Sequence, residues 1–367
     1  MTFCASALDS MHDEMSGGIG MKRITILATD NTVASGIIGF LDVFSFCNTY
    51  WRRVNPQAGQ DLFECQVVSS HGGDILTNQG IKVPAVGLNT PSDILHSDAV
   101  ILASAMVTNK SEFQNYLYDF EPLFEPLRLF AASGKPLAAY CSGTLILAAS
   151  GLLDGREATT VWWLNEMFQR HFARVNLRMD KLVVSDGHLH TAGATTSNMS
   201  LALHLVHILV GEQLASQMAK ILLIDPNRQS QQPFMTMELM SSSHKDEVIW
   251  NVQQWMQHHL TEPLLLDDIA DKFALGKRTL IRRFKKALNE TPASYVQRLR
   301  VDEAKRLLET TSLGLEEVVT RVGYEDVSSF RKLFIQLTSL TPRAYRQRFN
   351  TQQYEFDSDN CCEAELH

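Results

Sequence analysis

The sequence predicts a doubly wound α/β domain with a parallel sheet, followed by an all-α domain that contains two helix-turn-helix units. Short apolar runs alternate with helical segments up to about residue 228. A polar, loop-like stretch comes next, and the last third of the chain then repeats one helix-turn-helix pattern after about 50 residues. The length of 367 residues is consistent with two or three domains.

Four apolar runs in the first part have the character of buried parallel strands, at residues 24–27, 65–68, 99–102 and 137–140. Helical segments are expected between them, at residues 36–50 and 113–132. This alternation predicts helices on both faces of the sheet. We expect the domain to span residues 22–228, after a disordered N-terminal segment at residues 1–21.

The junction at residues 136–144 takes a strand directly into a helix. A residue at such an elbow is displaced to the carboxyl end of the sheet, so Cys141 is a candidate ligand-binding residue. A helix N-terminus beside a thiol lowers its pKa, and we expect this effect on Cys141.

Three further residues are candidates for the same pocket. Trp162 and Trp163 lie on a stretch expected to line it, where aromatic faces can hold a quaternary ammonium or guanidinium group. Plain packing of the two indoles is the alternative. Asp42, on the first helix, is either a pocket carboxylate or part of a solvated helix face.

Neither the histidines nor the six cysteines form a metal-binding pattern. His188 and His190 lie two apart in an expected strand, and His204 and His207 lie three apart in an expected helix, but no cysteine or carboxylate completes a set of three or four ligands. No CxxC pair occurs. We therefore expect no metal and no cofactor, and a reducing cytoplasm as the location. No apolar run approaches the ~20 residues needed to span a bilayer.

Charge changes sign along the chain. Residues 1–243 carry 15 Lys and Arg against 22 Asp and Glu, whereas residues 244–350 carry 18 against 14. A basic module inside a protein of net charge −8 is typical when one domain meets nucleic acid. Residues 229–245 are expected to be a linker because they are rich in Gln and Ser. Residues 351–367 are acidic without apolar periodicity and are expected to be disordered.

The two helix-turn-helix patterns occupy residues 266–286 and 316–334, within a domain expected at residues 246–350. Each has a short apolar helix, a turn and a second helix with a basic face, which is the arrangement that places a helix in the DNA major groove. A Thr-Pro pair follows each unit, with Thr as the expected N-cap and Pro in the first turn. An amphipathic helix at residues 298–308 is expected to hold the units at a fixed separation.

Apolar spacing separates a core face from a groove face in each second helix. The residues expected to face inward are Leu280, Phe284, Leu288, Phe330, Phe334 and Leu337. The residues expected to contact DNA are Arg278, Ile281, Arg282, Lys285, Ser328, Arg331 and Lys332. Arginine can read guanine edges, which favours Arg278 and Arg282 as base contacts, whereas the lysines suit phosphate. A merely solvated basic face is the alternative.

These motifs carry a resemblance to known families. Residues 246–349, with both turns and both Thr-Pro pairs, resemble the DNA-binding domain of AraC/XylS-type transcriptional regulators. Residues 136–160 resemble the glutamine-amidotransferase-like superfamily that includes DJ-1 and PfpI. From residue 23 to residue 349 the chain is similar to the GlxA type of AraC-family regulator, which joins these two domains. The resemblance implies a class I glutamine amidotransferase-like fold and a bacterial, homodimeric activator that binds double-stranded DNA and contacts RNA polymerase.

The resemblance also implies that the first domain is not an enzyme. Catalytic relatives carry a histidine where this chain has Val161, a Gly-Gly pair where it has residues 103–105, and an acidic residue where it has Ser200. Some relatives answer to amines such as betaine, carnitine or arginine, so the implied ligand is a small, cationic nitrogen metabolite. Hydrolysis by Cys141, a redox switch at Cys141 and an inert structural cysteine are the alternatives.

Overall fold

The computed structural model describes residues 20–57, 59–69, 72–237, 244 and 246–350. They divide into two compact units, with the boundary between Gln231 and Gln232. The tail predicted at residues 351–367, residues 1–19 of the predicted N-terminal segment, and residues 238–243 and 245 of the predicted linker lie outside the described residues. Within the described ranges, no helix is both long enough and apolar enough to cross a membrane.

The first unit contains eleven strands among its described residues. They are β1 (Lys22–Ala28), β2 (Phe63–Ser69), β3 (Ile75–Leu76), β4 (Lys82–Val83), β5 (Val86–Gly87), β6 (Ala99–Leu102), β7 (Leu137–Tyr140), β8 (Glu157–Ala158), β9 (Asn176–Leu177), β10 (Val183–Asp186) and β11 (Leu189–Ala192). Seven form the central sheet, in the order β10-β11-β7-β6-β1-β2-β5. Every pair in this sheet is parallel except β10 with β11. The doubly wound parallel sheet is thus confirmed, and the four predicted strands lie in β1, β2, β6 and β7.

Helices cover this sheet. They are α1 (Ala34–Val54), α2 (Lys110–Phe120), α3 (Phe124–Ala132), α4 (Thr144–Ala149), α5 (Asn165–His171), α6 (Ser197–Leu209) and α7 (Glu212–Ile221). The predicted helical segment at residues 113–132 is present and is divided into two helices. A 3-10 turn at Glu121–Leu123 separates α2 from α3, because Pro122 in that turn lacks the N–H that a continuous helix would use.

Parallel order brings the carboxyl ends of the central strands to one edge of the sheet. Cys141 follows β7 directly, Ala103 follows β6 and Gly193 follows β11. These strands are almost completely buried, so the backbone around their ends is fixed by the core. This edge is where open α/β sheets bind ligands.

The second unit is helical throughout its described residues. Its helices are α8 (Glu247–His258), α9 (Leu266–Lys272), α10 (Lys277–Leu288), α11 (Pro292–Thr310), α12 (Leu315–Arg321), α13 (Val327–Thr338) and α14 (Pro342–Phe349). Two aromatic-rich cores lie side by side along α11, the first around Phe284 and Tyr295 and the second around Phe334 and Tyr345. The predicted connecting helix at residues 298–308 is therefore longer than expected, because it also contains the element that closes the first helix-turn-helix unit.

The local signals at the helix ends are confirmed. The side chain of Thr291 accepts a hydrogen bond from the Ser294 N–H, and Thr341 does the same for Ala344. Leu280, Phe284, Phe330 and Phe334 are fully buried, as predicted. Leu288 and Leu337 are partly buried and pack against the two cores.

Candidate nucleic-acid interface and ligand pocket

Helix α10 is the most basic element of the described fold, with six cationic side chains and no acidic one. Two of the six serve the fold itself. Lys277 lies 2.9 Å from a carboxylate oxygen of Asp267 on α9. Arg283 pairs with Asp246, the N-cap residue of α8, with Arg283 Nε at 3.0 Å from Asp246 Oδ2. Both contacts connect α10 to the helices before it, and the Arg283 pair is the less exposed of the two.

The other cations of α10 lie on its exposed face. Arg278, Arg282 and Lys285 are exposed, and no described residue forms an ion pair with them. Their spacing, together with that of Ile281, places them on one stripe of the helix. Ile281 is half-buried rather than fully outward, because it lies at the border between this stripe and the core. The structure therefore brings the four predicted residues together on one surface.

Helix α13 has the same position in the second helix-turn-helix unit and a different surface. Asp326 caps it by accepting hydrogen bonds from the N–H groups of Ser328 at 3.1 Å and Ser329 at 2.9 Å. Hydrogen bonds from Ser329 and Ser328 hold the pKa of Asp326 below its usual range. Arg331 and Lys332 are exposed, and neither forms an ion pair with a described residue.

Lys286 is a candidate that the sequence reasoning missed. It is exposed on α10, four residues after Arg282 and eight after Arg278, and it forms no ion pair within the described chain. Residues four apart lie on one side of a helix, so Lys286 extends the cationic stripe. The repeated four-residue spacing of these cations was the signal that could have identified it.

Cys141 lies at a sharp elbow between β7 and α4. Its φ of 53° is in the left-handed region, which is uncommon for a residue with a side chain. The Cys141 N–H donates to the carbonyl of Gly193 at 2.9 Å, and the Thr160 hydroxyl donates to the Cys141 carbonyl at 2.7 Å. A Cβ on Gly143 would lie 2.5 Å from the Leu102 carbonyl, so the chain turns here against the end of β6. The predicted elbow is present and tightly held.

The prediction that the elbow lowers the pKa of Cys141 is wrong. Burial raises the pKa of this thiol to about 11, and the opposing hydrogen bond from the Ser142 N–H is a smaller effect. Removing the thiolate from water costs more than the hydrogen bonds to it return, so the thiol is protonated at neutral pH. No histidine or carboxylate among the described residues hydrogen-bonds to it.

The tryptophan pair follows Thr160, the residue that contacts the elbow. Trp162 is buried, whereas Trp163 is 42% exposed, and their ring centroids are 5.3 Å apart in an edge-to-face arrangement. The hydrogen bond from Thr160 to Cys141 connects their stretch to the elbow. Asp42 is not brought there. It is exposed on α1, whereas the buried Gly36 on that helix is the residue that approaches the Tyr140 hydroxyl.

A cavity of about 650 Å³ lies elsewhere in the first unit, between β10, α6 and α7, and Cys141 is not among its lining residues. Ser185 Oγ, on its wall, is 2.8 Å from His204 Nε2 and 2.9 Å from His190 Nδ1. Burial lowers the pKa of His190 to about 4, so this imidazole is neutral at physiological pH. His188 lies in the turn before β11 rather than in a strand. Sequence patterns did not indicate this cavity, because its walls come from distant segments.

An α/β domain with a strained elbow, joined to a pair of helix-turn-helix units with a free cationic stripe, defines a DNA-binding transcription regulator. Residues 269–348 match the family model described as a helix-turn-helix domain, and residues 23–208 match that of the DJ-1/PfpI family. The second match covers just over half of the chain. The chain belongs to the DJ-1/PfpI family.

Curated relatives share both domains. The HTH-type transcriptional regulator GbdR of Pseudomonas aeruginosa is 25% identical over 81% of this chain and 78% of its own length. CdhR of the same species is 27% identical over 81% of this chain and 82% of its own. The regulator GlxA of Rhizobium meliloti is 24% identical over 85% and 95%, respectively. The predicted GlxA-type organisation, with its DNA-binding regulator function, is confirmed.

Proposed function

We propose that this regulator reads DNA with Arg278, Ile281, Arg282 and Lys285 of α10 and with Ser328, Arg331 and Lys332 of α13. The observation that carries the proposal is that some cations of α10 are paired with acidic residues and others are not. Lys277 and Arg283 are paired with acids inside the fold, whereas Arg278, Arg282 and Lys285 lie on one exposed stripe without an acidic partner among the described residues. A guanidinium without an intramolecular partner can donate two hydrogen bonds to a guanine edge.

The roles follow from side-chain chemistry. Arg278 and Arg282 contact bases, and Lys285 and Lys332 neutralise phosphates. The two recognition helices enter successive major-groove segments about 34 Å apart, which is one turn of the double helix. Residue Ile281, at the edge of the stripe, contributes apolar contact to a base edge.

The test is the affinity of the full-length protein for a duplex recovered from genomic fragments. The double variant Arg278→Ala/Arg282→Ala should weaken binding by roughly 1–3 kcal/mol for each base-reading arginine that is replaced. The matched control is Arg306→Ala, which removes one charge from an exposed arginine paired with Glu303 on α11. Equal effects of the double variant and the control would contradict the assignment.

We further propose that a small metabolite controls this activity from the elbow of the first unit. The buried, protonated Cys141, without a base, supports binding rather than hydrolysis. The half-exposed face of Trp163 supports a cationic amine, as the resemblance implies. Such a ligand changes DNA binding only if it has different affinities for two states of the protein.

Glycine betaine, carnitine and arginine are the first compounds to test, by thermal shift and by their effect on DNA affinity. Trp163→Ala should abolish the response, whereas Trp250→Ala, which removes a comparably exposed tryptophan from α8, should keep it. If the compound still changes DNA affinity in Trp163→Ala, the ligand does not bind at this elbow, and the cavity beside His204 would be the next candidate.

The enzyme and redox alternatives make different predictions for Cys141. A pKa near 11 means that alkylation by iodoacetamide should be slow at pH 7.5 and should accelerate only as the pH approaches 11. We expect Cys141→Ser to retain regulation. Amidase turnover that disappears in this variant would favour an enzyme, and peroxide-dependent DNA binding that disappears in it would favour a redox sensor.

We also infer a homodimer that activates transcription through RNA polymerase in the bacterial cytoplasm. The named relatives are bacterial regulators, which supports the setting. Two large apolar side chains on the exposed face of α1, Ile38 and Phe46, are 43% and 47% exposed and support self-association. Sedimentation equilibrium tests the dimer, and a monomer at micromolar concentration would contradict it. Transcription in vitro with purified polymerase tests activation.

A further inference from the structure

The connecting segment, residues 229–237, is anchored in both units by polar contacts. At its start, the Gln229 carbonyl accepts a hydrogen bond from the Leu182 N–H at 2.8 Å. Two residues later the Gln231 side chain, which is 2% exposed, enters the interior of the first unit. Long polar side chains are seldom buried so completely. Here the Gln231 Nε2 has hydrogen-bond acceptors, whereas its buried Oε1 has no partner among the described residues.

The amide of Gln231 is held by three acceptors. Its Nε2 lies 3.0 Å from the Thr160 carbonyl, 3.1 Å from Thr159 Oγ1 and 3.3 Å from the Lys181 carbonyl. Gly193 makes room for it, because a Cβ at Gly193 would lie 2.7 Å from Gln231 Oε1. The site is shaped to receive this side chain.

Thr160, which bonds to Gln231, and Gly193, which borders it, both form hydrogen bonds with Cys141. Thr160 donates its hydroxyl to the Cys141 carbonyl, and Gly193 accepts the Cys141 N–H through its own carbonyl. Thr160 and Gly193 therefore each lie between Gln231 and the elbow. A ligand that displaces the elbow must also disturb the seat of this glutamine.

The rest of the connecting segment is fixed on the second unit. Lys305 of α11, itself 5% exposed, donates to the Met235 carbonyl, and Asp302 of α11 accepts the Met237 N–H at 3.2 Å. Ser339, the residue that follows α13, donates to Gln232 Oε1 at 2.5 Å. The segment thus contacts the helix shared by both helix-turn-helix units and the end of the second recognition helix.

We propose that Gln231 is the positioning residue that couples the elbow to the DNA-binding unit. Ligand at the elbow shifts Thr160 and Gly193, the seat of Gln231 changes, and the connecting segment then alters its contacts with α11 and α13. This inference rests on the proposed function, since it assigns the route by which the elbow regulates DNA binding.

Coupling between sites is reciprocal, so DNA can serve as the probe without an identified effector. The full-length protein is saturated with a duplex recovered from genomic fragments, and amide hydrogen exchange is measured at residues 139–145 and 158–163. We expect DNA to change the exchange rate of these segments by about fivefold or more, the lower end of usual coupling. Gln231→Met, which keeps the bulk without the hydrogen bonds, should abolish the change.

Gln229→Ala is the matched control, because Gln229 contributes its backbone carbonyl and its side chain is exposed. This control should keep the DNA-dependent change. If DNA binds but exchange at the elbow does not change in the parent protein, the coupling proposal is overturned while the DNA-binding function stands. A change that persists in Gln231→Met also overturns it. Failure of the parent protein to bind any duplex would instead contradict the proposed function.

Discussion

The two helix-turn-helix units have matching cores and different surfaces. In the first, the rings of Phe284 and Tyr295 lie 5.4 Å apart, and in the second those of Phe334 and Tyr345 lie 5.5 Å apart. The recognition helices do not match in this way. Helix α10 carries six cations, whereas α13 carries two. Packing therefore sets where each helix lies, and the exposed residues set what each helix can read.

The N-terminal ends of the two recognition helices, α10 and α13, also differ. The N-cap residue of α13 is Asp326, whose carboxylate accepts two backbone hydrogen bonds, whereas that of α10 is Gly276, which provides no side-chain cap. A carboxylate at this end of α10 would add negative charge next to Arg278, one of the two proposed base contacts. We infer that the first helix-turn-helix unit favours charge complementarity to DNA and that the second helix-turn-helix unit favours its own stability. The first helix-turn-helix unit should then read the DNA sequence, and the second should mainly fix the position of the protein on the DNA.

The core equivalence predicts the largest effects. Phe284→Ala and Phe334→Ala should each lower the free energy of unfolding by about 3–5 kcal/mol, because each removes a fully buried ring from a packed core. Denaturant unfolding of the full-length protein, followed by far-UV circular dichroism, measures both. A large cost at one position and a negligible cost at the other would break the comparison.

The surface difference predicts the next effect. Arg282→Ala should cost roughly 1–3 kcal/mol of binding free energy and relax the preference at one base pair. Arg331→Ala should weaken binding to all DNA sequences about equally, because we infer that the second helix-turn-helix unit mainly fixes the position of the protein on the DNA. Competition binding against a panel of single-base substitutions separates these results. A loss of preference in Arg331→Ala without one in Arg282→Ala would reverse the assignment.

Both helix-turn-helix units should contact DNA phosphates. Lys285→Ala and Lys332→Ala should each reduce the magnitude of the slope of log affinity against log salt by about one. Titrations of one duplex between low and moderate salt provide the slopes. An unchanged slope in Lys332→Ala would mean that α13 does not lie against the DNA backbone.

The capping difference predicts the smallest effect. Gly276→Ser should raise the free energy of unfolding by a few tenths of a kcal/mol, because it supplies the missing cap. There is room for the new side chain, since the nearest atom to an added Cβ is Thr279 Oγ1 at 3.9 Å. Asp326→Ala should act in the opposite direction. Thermal unfolding measures both, and destabilisation by Gly276→Ser would show that the glycine is needed for another reason.

Local patterns made much of this fold predictable. The Thr-Pro pairs located the starts of α11 and α14, and the four-residue repeat of Leu280 and Phe284 identified a core face. Continuous apolar runs located the four strands β1, β2, β6 and β7. In each case the physical cause lies within a few residues of the element itself, so a single sequence contains it.

Properties that depend on distant neighbours were not predictable. The pKa of Cys141 was expected to fall but is raised, since burial by the surrounding core outweighs the hydrogen bonds that favour the thiolate. The division between paired and unpaired arginines on α10 depends on Asp246, 37 residues from Arg283. The burial of Gln231 depends on Thr159 and Gly193, which approach it only in the folded chain.

The most direct test of the central claim is selection of genomic fragments by the purified full-length protein at a stated salt concentration. We predict a motif with two short half-sites about one helical turn apart, one sharply defined and contacted by α10, the other weakly defined and contacted by α13. Two half-sites of equal definition would contradict the division between the units. Binding without any sequence preference would contradict the proposed readout by Arg278 and Arg282.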